Sequence, residues 1–156
     1  MTKPALGIRD ATVNDRSYFW EVNNVPPTRS LSISTDPIPW AEHKRWYAAR
    51  LVDPATNLYI AESAGVRVGV AHLEHKGADA AISIALSPDH QGRGLGRRFI
   101  TEATRVALAS GTTTRIIALI RSDNTRSINA FVAAGYVLAG QEGAEGIELL
   151  RYEATK

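Results

Sequence analysis

Apolar positions along this chain alternate between two spacings, one of strands and one of helices. Leu6 to Arg9 reads as a first strand, and Thr12 with Asp15 three residues later has the spacing of a capping box that opens a helix through about Asn23. Val25 to Pro39 carries four prolines and reads as loop or broken turn. Pro39 then precedes a helix over Trp40 to Leu51, with Trp40, Tyr47 and Leu51 on one face. Leu58 to Glu62 and Arg67 to His75 form a hairpin around Ala64-Gly65, and Ala80 to Leu86 pairs next. Beyond these, Phe99, Ile100, Ala103, Val106 and Ala107 recur at helical spacing up to Gly111. Arg115 to Ile120 is an apolar, β-branched run suited to a central parallel strand. Asp123 or Asn124 can cap a helix from Ser127 to Ala134 that stops at Gly135, and Tyr136 to Ala139 with Gly146 to Tyr152 makes a closing pair.

Between the strand ending at Leu86 and the long amphipathic helix stands Gln91-Gly92-Arg93-Gly94-Leu95-Gly96. Glycines at alternate positions let a turn present its N–H groups, and the helix that follows adds its dipole, which together make a phosphate cradle. A Walker loop requires Gly-Lys followed by Ser or Thr, but Gly96 is followed by Arg97 and Arg98. The dinucleotide fingerprint requires a third glycine where Arg97 stands, and an earlier place in the chain. The three cations Arg93, Arg97 and Arg98 lie where a helix dipole disfavours them, which an anion would explain.

Composition narrows the class. With 156 residues and 44% hydrophobic content, the chain suits one globular domain over residues 1–156, and no stretch is apolar enough to span a membrane. The absence of cysteine excludes disulfides, a thiolate nucleophile and cysteine-ligated metal, and no metal site is expected. The N-terminus lacks the apolar segment of a secretory signal, so a cytoplasmic location is expected. A net charge of +2 with dispersed arginines does not argue for nucleic acid.

Gln-x-x-Gly-x-Gly after a strand resembles the acyl-CoA loop of the GCN5-related N-acetyltransferases. Asn124-x-x-Ser127 with Phe131 and Gly135-Tyr136 resembles that family's second cofactor element. The resemblance spans nearly the whole chain. It implies an α/β (α+β) fold with a mixed, mostly antiparallel central sheet of six to seven strands and helices on both faces. It further implies acetyl-CoA as cosubstrate, held by Leu86, Gln91, Gly92, Arg93, Gly94, Leu95, Gly96, Arg97, Asn124, Ser127 and Phe131, and two strands splayed apart to admit the pantetheine arm. Helix capping alone accounts for Asn124 and Ser127 equally well, and Phe131 also suits the core.

The implied chemistry is direct transfer of an acetyl group to a neutral primary amine, with no covalent acyl-cysteine. The family's frequent tyrosine acid is replaced by Phe131, and its strand glutamate by Ala80 or Ala81. The expected catalytic pair is His72 with Ser83, with Glu74, His75 and Asp79 as other proton acceptors. For the acceptor, Asn24, Arg29, Ser32, Ile38, His43 and Trp46 resemble the pattern of the branch that acetylates nucleotide-linked amino sugars in pseudaminic-acid pathways. That resemblance implies an acceptor site at Asn24, Arg29, His43 and Trp46, a small-molecule partner, and allows a homodimer. Two rival expectations are an acetyltransferase of peptide α-amines, as in ribosomal-protein modifiers, and a catalytically weak acyl-CoA sensor.

Overall fold

The structure is a computed structural model that describes residues 5–144 and 146–156. Its centre is a seven-stranded sheet in the order β1-β2-β3-β4-β5-β7-β6. The strands are β1 (Leu6–Asp10), β2 (Thr56–Ser63), β3 (Val66–Lys76), β4 (Asp79–Leu86), β5 (Arg115–Arg121), β6 (Val137–Ala144) and β7 (Ile147–Thr155). The helices are α1 (Arg16–Asn24), α2 (Pro26–Arg29), α3 (Trp40–Val52), α4 (Leu95–Ala109) and α5 (Thr125–Ala133). Each pairing is antiparallel except β4 with β5.

Local chemistry sets these elements. The capping box expected at Thr12 and Asp15 is present: the Thr12 hydroxyl accepts from the Asn14 N–H at 3.2 Å, and the Asp15 carboxylate accepts from the Thr12 N–H at 2.9 Å. It closes a short 3-10 turn that leads into α1. Asp15 is also buried and grips Arg9 through two bonds of 2.7 and 2.9 Å, with Arg67 at 3.3 Å. The Arg9 guanidinium, ahead of the opposing cost of burial, holds that carboxyl down to about 2. The β2–β3 hairpin turns at Ala64 and Gly65, both at positive φ.

Two cores flank the sheet. On one face, Tyr59, Ala61, Leu73 and Ile82 meet Phe99, Ile100, Ala103 and Phe131 of α4 and α5. On the other, Leu58, Ile60 and Val70 meet Phe19 and Val22 of α1 and Tyr47 of α3. Alternation along β3 and β4 therefore places His72 and Ser83 on the face of α1 and α3.

The stretch expected to be irregular differs in one respect. Pro26 and Pro27 begin the one-turn helix α2, since proline is tolerated where a helix's first N–H groups lack partners. The closing strands also run further than expected, to Ala144 and from Ile147 to Thr155, because they pair with each other and with β5 along their length.

One irregularity of the sheet positions the site. The ladder between β4 and β5 covers only Asp79 with Arg115, Ala80 with Ile116 and Ala81 with Ile117. Beyond Ala81 the two strands diverge while β4 stays paired with β3 out to Leu86.

Candidate active site

The divergence opens a seam through the middle of the sheet. In an antiparallel ladder, alternate residues direct their N–H and C=O to opposite sides, so Ile82–Leu86 satisfies β3 with one set and presents the other to the seam. A groove runs there, lined by Ile84, Leu86, Gln91, Gly96, Asn124 and Ser127 among others. It leads to the glycine turn. Gly92 has φ 77° and Gly94 has φ 74°, left-handed values that a Cβ would strain. Gly94 is the N-cap of α4 and offers no side-chain cap, so the helix's first N–H groups are open to an anion.

Side chains brace this turn. Gln91 donates through Nε2 to the Leu86 carbonyl at 3.2 Å and accepts through Oε1 from Arg126 at the start of α5. Arg93, Gly94 and Arg97 are exposed, while Leu95 is buried and anchors the helix start. Asn124 caps α5 by accepting from the Ser127 N–H at 3.3 Å, and both residues also line the groove. Capping and lining coexist. Phe131 is buried, packs edge-on against Tyr136 with ring centroids 4.9 Å apart, and lines the cavity but not the groove.

A cavity of about 450 Å³ adjoins the groove. His72 and Ser83 face one another as direct cross-strand partners, and both line it. Opposite them stand Arg29 at the end of α2, Ser32 and Ile38 from the segment after it, Glu42, His43 and Trp46 from α3, and Arg121 from the end of β5. The rings of His72 and Trp46 meet in a T-shaped contact with centroids 5.4 Å apart. Burial pushes the His72 imidazole below its usual value, ahead of the opposing pull of Glu74 and the smaller push of Arg50. A neutral imidazole at physiological pH can accept a proton. His43 is buried and packs against Trp40, Trp46 and Tyr47, and its Nε2 lies 2.9 Å from the Arg16 carbonyl. Burial lowers its pKa as well.

The remaining candidate bases are occupied. Glu74 pairs with Arg50 at 3.2 Å, and Asp79 is held by Arg115 through bonds of 2.9 and 2.7 Å. His75 bridges Asn57 at 2.6 Å and Thr113 at 3.0 Å. Asn24 does not line the cavity. Its amide instead clamps Ile38, accepting from the N–H at 2.8 Å and donating to the carbonyl at 3.3 Å, which fixes the end of the 26–38 segment. The neighbouring Asn23 lines the cavity in its place. Glu42 and Arg121 line it without having been anticipated: Glu42 is one charge among several in α3, and Arg121 depends on contacts about ninety residues away that no local pattern encodes.

The family model described as the acetyltransferase (GNAT) family matches residues 19–136. No curated protein matches the sequence significantly. Among solved structures, the spermidine N-acetyltransferase from Vibrio cholerae, in complex with CoA and spermine, superposes with a TM-score of 0.86 at 19% identity, over 96% of this chain and 95% of that one. The aminoglycoside acetyltransferase AAC(6')-Ib, in complex with ribostamycin and coenzyme A, gives 0.86 at 18% identity over 97% and 94%. Likeness at this identity establishes the fold.

Proposed function

The chain belongs to the acetyltransferase (GNAT) family, and on that premise we propose that it moves the acetyl group of acetyl-CoA directly to the primary amine of a nucleotide-linked amino sugar. We read it as a single cytoplasmic domain. The observation that carries the transferase half is the seam beyond Ala81, which joins the glycine turn to the cavity of His72 and Ser83. Its parts fit the cosubstrate: open helix N–H groups and a glycine turn suit a diphosphate, and unpaired strand amides suit an amide-bearing arm. Leu86, Gln91, Gly92, Arg93, Gly94, Leu95, Gly96 and Arg97 would hold it at the loop, with Asn124 and Ser127 along the groove. When bound, it supplies an activated acyl thioester with a thiolate leaving group.

The chain's own work is positioning and proton handling. An amine reaches the cavity mostly as ammonium and must lose a proton before it can attack. His72, kept neutral by burial, accepts that proton directly or through a water held by the Ser83 hydroxyl on the adjoining strand. Trp46 offers a flat apolar wall for a base or sugar, and its contact with His72 fixes the imidazole's orientation.

Arg29 favours an anionic acceptor. The cavity is lined by Arg29, Arg121 and one carboxylate, Glu42, among the described residues, and Arg121 is already paired with Asp123 at 3.0 and 2.8 Å. The Arg29 guanidinium is suited to a sugar diphosphate, since its planar fork matches phosphate geometry. The spermidine enzyme's acceptor is therefore not assigned to this chain.

Thiol release from acetyl-CoA, followed against nucleotide-linked amino sugars, spermidine, aminoglycosides and peptides, tests both halves. We expect the sugar nucleotide to be used with kcat/KM at least about a hundredfold above spermidine, a difference of about 2.7 kcal/mol. Preference for spermidine or a peptide would overturn the acceptor, and no release with any amine would overturn the transferase. His72→Gln should lower kcat by about a hundredfold. It should also remove the loss of activity that wild type shows as pH falls through the depressed His72 pKa, below the ordinary 6.5. A pH profile of the wild-type shape would exclude His72 as the base.

A further inference from the structure

α2 and the segment after it roof both the cavity and the groove. Thr28 and Leu31 line the two of them, as do Asn124 and Ser127 on the opposite wall. No regular secondary structure holds residues 30–39. Its ends are tied by side chains: Asn24 and Trp20 hold Ile38, Trp20 Nε1 donating to its carbonyl at 2.7 Å, and Arg29 donates to the Asp36 carbonyl at 2.6 Å. Those ties stay within one side of the seam.

Arg121 crosses it. Its Nη1 donates to the carbonyls of Ser30 at 3.3 Å and Ser32 at 3.4 Å, while Nε and Nη2 make a two-bond pair with Asp123 at 3.0 and 2.8 Å. The side chain is mostly covered, although Asp123 is exposed. A guanidinium is planar and carries five donors in a fixed fork, so one group can serve both partners only while roof and wall hold one relative position. Asp123 directly precedes Asn124, the cap of α5 that lines cavity and groove alike.

We propose that Arg121 is a positioning residue which clips the roof at Ser30 and Ser32 to the α5 cap, so that order in the roof and occupancy of the cofactor groove are coupled. The coupling is reciprocal. A groove filled beneath Thr28 and Leu31 steadies the roof through contact, and a roof already clipped loses less freedom when the groove fills. The second half of the inference rests on the CoA assignment above, whereas the first concerns the free protein alone.

Hydrogen exchange over residues 28–36, with and without CoA, separates the two. In the free protein, Arg121→Ala should speed exchange of this segment by about tenfold with the global Tm nearly unchanged, because local opening here does not require unfolding of the sheet. In wild type CoA should slow exchange of the segment. In Arg121→Ala the Kd for CoA should rise at least about fivefold and that protection should shrink. Arg121→Lys, which can reach one carbonyl but cannot fork, should fall between the two.

Exchange in free Arg121→Ala equal to wild type would overturn the clip. Faster exchange with a wild-type Kd for CoA would overturn the coupling. If CoA fails to bind wild type, the cofactor assignment and the coupling both fall, and the free-protein exchange still decides the clip. Should Arg121→Ala fold poorly, Arg121→Met reads the same outcomes, since it keeps the apolar stem and removes every donor to the Ser30 and Ser32 carbonyls.

Discussion

At the scale of single residues, Gly69 shows how closely packing and site are joined. A Cβ built there would lie 2.7 Å from the Ala85 carbonyl oxygen, 3.1 Å from Leu86 Cδ2 and 3.1 Å from Phe99 Cε2. The nearest of these is backbone and cannot swing away. Gly69→Ala should therefore destabilise the protein by about 1–3 kcal/mol, as overpacked cores do, and lower Tm by several degrees. Ala85 and Leu86 also line the groove, so the backbone shift that relieves the clash should weaken CoA binding as well. Gly7→Ala is the control, because a Cβ there meets nothing within 4 Å. Thermal unfolding and CoA titration of both variants check the expectation; equal losses of Tm would refute it. The distinction is not visible in sequence, where both are glycines in strands, since the contrast comes from how closely the neighbouring strand β4 and the helix α4 approach Gly69.

Element by element, what periodicity governs was legible and what side chains stitch together was not. α4 buries Leu95, Phe99, Ile100, Ala103 and Ala107 on one stripe, so its apolar spacing predicted both the helix and its inner face. β2, β3 and β4 followed from alternating runs and a turn signal. The 26–38 segment has no such period, and its path is set by Asn24, Trp20, Arg29 and Arg121 bonding to distant carbonyls. Hence Arg29, His43 and Trp46 could be named from a resemblance in their order, while Arg121 and Glu42 could not be named at all. The glycine turn was the most legible part of the site because its requirement is backbone geometry. Gly94→Glu tests that requirement. The left-handed φ of 74° should cost about 1–2 kcal/mol for any L side chain, and the new carboxylate would sit at the positive end of α4, where the ligand's phosphates belong. If the turn holds the diphosphate as proposed, we expect a folded protein whose Tm no longer rises with CoA, whereas CoA at a hundredfold excess over its Kd should add about 2.7 kcal/mol to wild type. An undiminished Tm rise in the variant would show that the turn does not carry the diphosphate.

For the molecule as a whole, the arrangement follows from a sheet that is continuous at one end and open at the other. The β4–β5 ladder joins the halves at Asp79 to Ala81, where Arg115 reinforces it with a two-bond pair to Asp79. Beyond that point α4 and α5 fill one face and α1 and α3 the other, so the halves stay packed while their strand edges remain apart. Unpaired strand edges invite pairing, and this one is shielded from other chains by the roof segment and α5. The expected occupant is an extended arm with amides of its own. Two ligands that share a diphosphate but differ in that arm distinguish edge pairing from simple anion binding. CoA should slow hydrogen exchange both at residues 92–97 and at the seam-facing amides of residues 82–86, whereas adenosine 3'-phosphate 5'-diphosphate, which keeps the diphosphate but lacks the arm, should slow 92–97 and leave 82–86 as fast as in the free protein. Equal protection of 82–86 by both ligands would mean that the seam closes on its own when the loop fills, and the open edge of β4 would then be a hinge instead of a binding strand.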